Sequence, residues 1–300
     1  MVFNHPIGVR FPVGPPNSNM KFLRVGSLNH EKPAIIDDNE IIRDLSSIIK
    51  DLNPVTINQN TIEKIKKINL EKLPIVNNNI RIGPCVANPE KFIGIGLNYS
   101  DHAEETGMKP PLEPIMFIKA NSCISGPNDT VIIPKNSKKT DWEIELGIVI
   151  GKKAQYISED KSFEYIFGYC IVNDISEREF QIERSGQWDK GKGCDTFGPI
   201  GPYLVTKDEI KNVQNLNLEL KLNEKIMQKG NTNKMIFGVK HIVSYLSQFM
   251  TLNPGDIITT GTPPGVGMAK KPQKFLKAGD KMILNIDNLG FQRQKVIAIK

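Results

Sequence analysis

Apolar and polar positions alternate along much of the chain beyond residue 91, and this alternation predicts strands rather than helices. The predicted strands are FIGIGL, EPIMFIKA, TVIIP, WEIELGIVIG, FGYCIV, GPYLVT, LNLELKLN, DIITTG and KMILNID. Glycine, proline, asparagine and aspartate separate many of these segments, as expected of turns. The pattern indicates a mostly β domain with some α, built from rolled or sandwiched sheets rather than alternating βαβ units.

Clear helical signals in this region are few, chiefly in residues 101–106, 176–184 and 241–249. In the first segment, Asp101 is predicted to cap the helix, with Glu104 at the capping-box position. A glycine at position 107 is predicted to end this helix.

The chain before residue 79 follows a different pattern and predicts a small α+β domain over residues 20–78. Three strand-like pieces, KFLRVG, PAIIDD and EIIRDL, precede a segment with isoleucines at helical spacing. Residues 1–19 contain four prolines and no apolar periodicity, so we interpret them as a disordered leader or tag. Residues 79–300 then form the main domain.

Composition excludes several classes of protein. Hydrophobic residues make up 39% and charged residues 24%, and no apolar run approaches a membrane span of about 20 residues. The 39 basic residues exceed the 33 acidic ones, but they are scattered without interleaved aromatic residues, which argues against nucleic-acid binding. Four separated cysteines and the absence of a signal-peptide pattern predict reduced thiols in a cytoplasmic enzyme.

Two glycine-rich segments fail as nucleotide-binding motifs. Gly94-Ile-Gly96-Leu-Asn-Tyr99 follows a predicted strand, but Tyr99 occupies the third glycine position and no long helix follows. The segment from Gly186 to Gly193 has P-loop spacing, yet Gly193 replaces the magnesium-binding Ser or Thr. We therefore expect no nucleotide cofactor.

Three carboxylates form the first chemical signal. Strict alternation over residues 141–147 places Glu143 and Glu145 on one face of a strand, roughly 7 Å apart at Cβ, within reach of one cation. The apolar strand after Phe167 leads to Asp174, which could complete an all-oxygen site for Mg²⁺ or Mn²⁺. The alternatives are a solvated strand face for the glutamates and a helix-capping role for Asp174.

A possible general base lies on the first predicted helix. His102 and Glu105 stand at i and i+3, on one face of a single turn. A histidine oriented by a carboxylate is the arrangement that activates water. The alternative is a surface His-Glu pair without a catalytic role.

Six sequence blocks resemble the signature blocks of the fumarylacetoacetate hydrolase family. In order across residues 80–295 they are GLNYSDHAEETG, DWEIELGIVIGKK, GYCIVNDISEREFQ, QWDKGKGCDTFGPIGPYLVT, NTNKMIFG and PGDIITTGTPPGVG. QWDKGKGCDTFGPIGP is similar to a bacterial subgroup described as 2,4-diketo-3-deoxy-L-fuconate hydrolases, often labelled ureidoglycolate lyases. KFLRVG and IRDLS also resemble that subgroup, which favours Met20 as the native start.

The resemblance implies a mixed β-sandwich roll, usually dimeric, with a small N-terminal domain. It places the metal ligands at Glu143, Glu145 and Asp174. It also places the catalytic His-Glu dyad at His102 and Glu105. The implied cofactor is Mg²⁺ or Mn²⁺.

Further positions are implied by the same resemblance. Lys192 would be catalytic, and Arg178, Gln181 and Thr262 would contact the substrate. Their alternatives are an exposed helix face for the Arg and Gln, a loop charge for the Lys, and stabilisation of a Pro-Pro turn for the Thr. The chain departs from the family at Glu224, where relatives usually carry Gly after Asn in a hairpin.

The implied activity is the cleavage of a carbon-carbon bond in a 2,4-dioxo acid, an acylpyruvate or a 2,4-diketo-3-deoxy sugar acid, to pyruvate and a short acid. The implied partner is therefore a small anionic 2-oxo acid, and the implied assembly is a homodimer. Decarboxylation, tautomerisation or lyase chemistry on a 2-oxo acid at the same site stays open. A metal-stabilised binding protein without turnover is a further alternative, against which the combination of His102, Glu105 and Lys192 argues.

Overall fold

The computed structural model describes residues 20–77, 79–107 and 109–299, and the predicted leader over residues 1–19 lies outside the described residues. Strands β1 to β18 are, in chain order, Lys21–Val25, Lys32–Ile36, Ile42–Asp44, Phe92–Gly96, Ile115–Lys119, Ile124–Ser125, Val131–Ile133, Thr140–Asp141, Ile144–Ile150, Ile166–Asn173, Ser176–Glu177, Gly198–Pro199, Leu204–Thr206, Asn217–Leu222, Lys225–Asn231, Ile257–Thr259, Lys281–Ile286 and Gly290–Ala298. Helices α1 to α5 are Gln59–Lys66, Ser100–Thr106, Ser162–Tyr165, Asp189–Lys192 and Val239–Leu246. The predicted mostly β class is confirmed.

Two sheets hold most of these strands. The larger has the order β3-β2-β1-β13-β10-β9-β16-β4-β5, and the smaller has the order β15-β14-β17-β18-β7. Strands β9 and β10 of the larger sheet contact β14, β17 and β18 of the smaller one, and their apolar side chains belong to one core. The architecture is therefore a sandwich, as the resemblance implies.

The N-terminal strands extend the larger sheet. Strand β1 pairs antiparallel with β13, with Phe22 opposite Leu204. Met20 and Phe22 are buried in the same core as the central strands. Residues 20–77 and the described residues after them thus share the larger sheet and the main core. The domain boundary at residue 78 stays a prediction.

The alternation rule does not predict β15 and β18. Both strands carry glutamines at buried positions, Gln228 in β15 and Gln292 and Gln294 in β18. Each of these buried amides forms hydrogen bonds. Gln292 Nε2, for example, donates to the carbonyl oxygens of Ile171, Pro199 and Gly201. A buried face lined with amides does not show the apolar alternation that indicates a strand.

Two helical predictions need correction. Tyr99, rather than Asp101, is the N-cap residue of α2, and Asp101 Oδ1 instead accepts a hydrogen bond from His102 N. Gly107 ends α2 in the left-handed region at φ 68°, as predicted. The predicted helix over 176–184 is wrong at its start, because β11 pairs with β8 before a π-helical turn at Glu179–Glu183.

The third predicted helix, over 241–249, is present but starts and ends earlier, as α5. No helix of the described residues is long and apolar enough to cross a membrane.

Candidate active site

The register between two central strands brings the three predicted carboxylates together. Strand β10 pairs antiparallel with β9 so that Val172 lies opposite Glu145. The antiparallel hydrogen bonding continues just beyond the end of β10, where Asp174 N donates to the carbonyl oxygen of Glu143 at 2.9 Å. One carboxylate oxygen from each of Glu143, Glu145 and Asp174 lies within 4.8 Å of the other two.

All three carboxylates are buried, with exposed fractions of 6%, 1% and 0% for Glu143, Glu145 and Asp174. The alternative of a solvated strand face is therefore wrong for the two glutamates. Burial of several carboxylates is costly unless cations or hydrogen bonds compensate each of them.

Lys192 supplies part of that compensation. Its Nζ lies 2.6 Å from Glu143 Oε2 and 2.6 Å from Asp174 Oδ2, so it bridges two of the three carboxylates. Burial disfavours the ammonium charge, but Asp174 and Glu143 outweigh that effect and raise the pKa of Lys192. The alternative of a solvated loop charge is wrong, because only 2% of the residue is exposed.

Sequence reasoning missed a second lysine in the site. Lys119, at the end of β5, is fully buried and places its Nζ 2.6 Å from Asp174 Oδ1 and 2.5 Å from the carbonyl oxygen of Lys192. It therefore holds both the third carboxylate and the main chain that carries Lys192. The strand alternation could have indicated this lysine, because it puts Lys119 on the same face as the apolar Phe117.

Arg178 is the third cation. Its Nη2 lies 2.6 Å from Glu143 Oε1, its Nε donates to Asp141 Oδ2 at 2.9 Å, and its Nη1 donates to Gln181 Oε1 at 3.0 Å. Asp141, which sequence reasoning did not single out, also accepts hydrogen bonds from Gly267 N and Met268 N. Arg178 and Gln181 are buried, so the alternative of an exposed helix face is wrong.

The carboxylates differ in their electrostatic surroundings. Burial disfavours the charge of Glu143, yet Lys192 and Arg178 together hold its pKa well below the usual range. Burial and the neighbouring Asp174 and Glu143 raise the pKa of Glu145 well above the usual range. Glu145 is supported by hydrogen bonds from Thr259 Oγ1 and Gly261 N rather than by an ion pair.

This arrangement fits a divalent cation. Four carboxylates, those of Asp141, Glu143, Glu145 and Asp174, face the three cations Lys119, Arg178 and Lys192. One carboxylate therefore lacks a cationic partner. It is Glu145, which forms no ion pair among the described residues. An all-oxygen ligand set next to such a carboxylate suits a hard divalent ion.

The His-Glu pair stands at the same cavity. His102 Nδ1 lies 3.2 Å from Glu105 Oε2, and Gly265 N donates to that same oxygen at 3.0 Å. His102 is 6% exposed and lines the cavity wall. The loop after β16 therefore fixes Glu105, and Glu105 orients the imidazole ring.

The cavity at these groups has a volume of about 140 Å³. Eight of the nine predicted site residues line it, and the ninth, Glu105, reaches it through His102. Phe117 and Trp188 form an apolar wall, with ring centroids 5.6 Å apart. Thr262 also lines the cavity, while its hydroxyl donates to the carbonyl oxygen of Ile144. The volume is below the usual 300–1,000 Å³ of ligand pockets, which favours a small ligand.

Fold and site together define a class of protein: a mostly β sandwich that carries a buried carboxylate cluster, able to hold a divalent cation, beside a His-Glu pair. The chain belongs to the fumarylacetoacetate hydrolase family, because residues 91–297 match the family model described as "Fumarylacetoacetate (FAA) hydrolase C-terminal". Members of this family are hydrolases and isomerases that act on carbon-carbon bonds.

Individual relatives agree with this assignment. A provisionally named hydrolase of Burkholderia ambifaria is 55% identical over 276 residues, which cover 92% of this chain and 98% of the relative. The structure is similar to maleylpyruvate hydrolase from Sphingobium sp. SYK-6 in complex with manganese(II) and pyruvate, with a TM-score of 0.78, 26% identity, and coverage of 94% and 100% of the two chains. It is also similar to 2-hydroxyhepta-2,4-diene-1,7-dioate isomerase from Mycobacterium marinum, with a TM-score of 0.74, 30% identity, and coverage of 93% and 98%.

Proposed function

We propose that this protein is a divalent-metal-dependent hydrolase that cleaves a carbon-carbon bond in a 2,4-dioxo acid, releasing pyruvate and a short acid. The observation that carries the proposal is that His102, which contacts Glu105, lies on the wall of the cavity that the three carboxylates line. Binding a metal requires only the carboxylates, whereas hydrolysis also requires a group that takes a proton from water.

Glu143, Glu145 and Asp174 would hold Mg²⁺ or Mn²⁺. When bound, such a cation supplies Lewis-acid stabilisation of negative charge on the substrate oxygens. The manganese and pyruvate in the similar maleylpyruvate hydrolase support this choice of metal and product.

The protein's own groups would perform the proton transfers. Glu105, held by Gly265 N, contacts His102 Nδ1 and orients the imidazole ring, which would take a proton from water. The water oxygen attacks the 4-oxo carbon, the bond between C3 and C4 breaks, and C3 of the departing pyruvate enolate then takes up a proton. Lys192, whose ammonium lies at the cavity, offsets the negative charge of that enolate.

Arg178, Gln181 and Thr262 would contact the substrate, since all three line the cavity. The Arg178 guanidinium also pairs with Asp141 and Glu143, so it orients the ligand set as well. The apolar wall of Phe117 and Trp188 supports an acylpyruvate, while the resemblance to the sugar-acid subgroup supports a 2,4-diketo-3-deoxy sugar acid.

A second candidate is isomerisation of a 2-oxo acid at the same site, which the similar isomerase from Mycobacterium marinum supports. Decarboxylation of a 2-oxo acid would use the same carboxylates. A turnover screen with added Mg²⁺ or Mn²⁺ separates the two candidates. We expect acylpyruvates or 2,4-diketo-3-deoxy sugar acids to yield pyruvate. Turnover of oxaloacetate alone would replace hydrolysis with decarboxylation.

A further inference from the structure

A second cavity, of about 620 Å³, shares no lining residue with the active-site cavity. It lies between the middle of β10, α3, the segment that follows β13, and the start of α5. Its lining combines three apolar side chains with three lysines: Phe163, Ile210, Val213, Lys207, Lys211 and Lys240. The volume falls within the range of about 300–1,000 Å³ that is usual for small-molecule sites.

Tyr169 contributes a hydroxyl group to this cavity. The residue is 1% exposed, and among the described residues its hydroxyl has no hydrogen-bond partner. Burial alone raises the pKa of Tyr169, so the phenol stays protonated and can donate a hydrogen bond. No described residue uses this donor, so it is available to a ligand with an acceptor oxygen.

Lys207 brings a half-buried positive charge to the same cavity. Its Nζ donates to the carbonyl oxygen of Phe163 at 2.6 Å, and it forms no ion pair within the described part of the chain. Burial lowers the pKa of Lys207, which is the expected effect of an incompletely compensated cation. Two of the three ammonium protons are not used by the Phe163 carbonyl.

The two acidic residues at the rim offset the charge of the three lysines only in part, although Asp208 and Glu164 favour the charged form of Lys207. Glu159 lies 3.2 Å from His241 Nδ1, and Asp208 lies 3.7 Å from Lys66 Nζ, so both acids have partners outside the lining. The lining as a whole carries three lysines against two acids. The cavity favours an anion.

We propose that this cavity is a second binding site for a small organic carboxylate with an apolar body. The Tyr169 hydroxyl and the Lys207 ammonium would bind the carboxylate, since both are donors at the same cavity. Phe163, Ile210 and Val213 would pack against the apolar body. The site is independent of the catalytic proposal, because none of its residues touches the active-site cavity.

Isothermal titration calorimetry of the full-length protein tests this site, with sodium hexanoate and sodium benzoate as ligands. Inorganic phosphate lacks the apolar body and hexan-1-ol lacks the charge, so both should bind at least about tenfold more weakly. Tyr169→Phe removes only an unpartnered oxygen and should weaken hexanoate binding about tenfold or more, with an unchanged melting temperature. Lys207→Met should also weaken hexanoate binding.

The matched controls are Tyr165→Phe and Lys161→Met, which remove a phenol oxygen and an ammonium group just outside the lining. Both should bind hexanoate as the parent does. Absence of hexanoate and benzoate binding to the parent at millimolar concentration would overturn the proposal. Binding that is equally strong in Tyr169→Phe and Lys207→Met, or equally strong for phosphate, would also overturn it.

Discussion

His102 and Glu105 allow hydrolysis to be distinguished from enolate chemistry at the scale of single residues. If His102 takes the proton from water, His102→Ala should reduce cleavage of an acylpyruvate about a hundredfold or more while metal affinity stays unchanged. Glu105→Gln should change activity in the same direction, because the imidazole loses the charge that orients it. Product formation and metal binding are measured on the same sample.

Deuterium exchange serves as the internal control for these two variants. Exchange at C3 of the acylpyruvate in deuterated water requires enolisation but no activated water, so it should persist in His102→Ala. An unchanged rate of cleavage in that variant contradicts the hydrolase proposal and favours decarboxylation or tautomerisation.

The ligand set makes a second prediction. Protein treated with a chelator should lose turnover and regain it with Mg²⁺ or Mn²⁺. Alanine at Glu143, Glu145 or Asp174 should lower metal affinity by more than the roughly tenfold expected when a residue around the ligands is changed. Titration of metal into each variant measures this, and full turnover after verified metal removal contradicts it.

Lys119 has a positioning role that stability measurements can isolate. Lys119→Met leaves a buried carboxylate short of one partner, so metal-free protein should be destabilised by about 3–5 kcal/mol. A divalent cation at Asp174 would replace part of the lost charge, so added Mn²⁺ should recover part of the loss. Urea denaturation with and without the metal measures both effects.

The matched control is Lys152→Met, which removes an exposed ammonium that lies over the Tyr165 ring. Its effect should stay within about 1 kcal/mol and should not depend on metal. Equal losses in the two lysine variants would show that Lys119 has no special role.

At the scale of elements, the hairpin between β14 and β15 carries a strained turn. Asn223 and Glu224 have φ of 48° and 65°, so both central residues of this two-residue loop are in the left-handed region. Asn223 tolerates this conformation, and its side chain forms hydrogen bonds with Asp280 and with Lys281 N. Glu224 has no comparable compensation and stands where such turns favour Gly.

Glu224→Gly should therefore stabilise the protein by about 0.5–1 kcal/mol, because glycine adopts a positive φ without strain. Thermal and urea denaturation measure the change. The control is Glu224→Ala, which removes the same carboxylate but keeps a Cβ at positive φ, and it should not be stabilising. A gain of equal size in both variants would assign the effect to charge instead.

The elements also show where sequence reasoning reaches its limit. Strands β9 and β10 were predictable, since their apolar residues alternate or run continuously between turn residues. Strand β18 was not, because its buried positions include Gln292 and Gln294, whose amides bind backbone carbonyls of other strands. Those acceptors are far away in sequence, so a local pattern cannot reveal them.

At the scale of the whole molecule, the shared sheet makes a prediction about truncation. Removal of residues 20–78 would expose the edge of β13 and remove Met20 and Phe22 from the core. We expect a chain of residues 79–300 to lack a cooperative thermal transition and to bind no metal. A folded, metal-binding truncated protein would show that the main domain is independent.

Deletion of residues 1–19 is the corresponding control. That segment carries no periodic apolar pattern, so its loss should leave the melting temperature and turnover essentially unchanged. A large loss of either would show that the segment packs against the fold.

The sequence by itself determined the mostly β class, the positions of the carboxylates and the His-Glu pair, because alternation and short motifs are local properties of the chain. Only the tertiary structure decided how closely these carboxylates lie and which cations compensate their buried charges. The register of β9 against β10 sets the spacing of Glu143, Glu145 and Asp174. Lys119 reaches Asp174 from a strand 55 residues away, so only the folded sheet shows that a buried lysine completes the site.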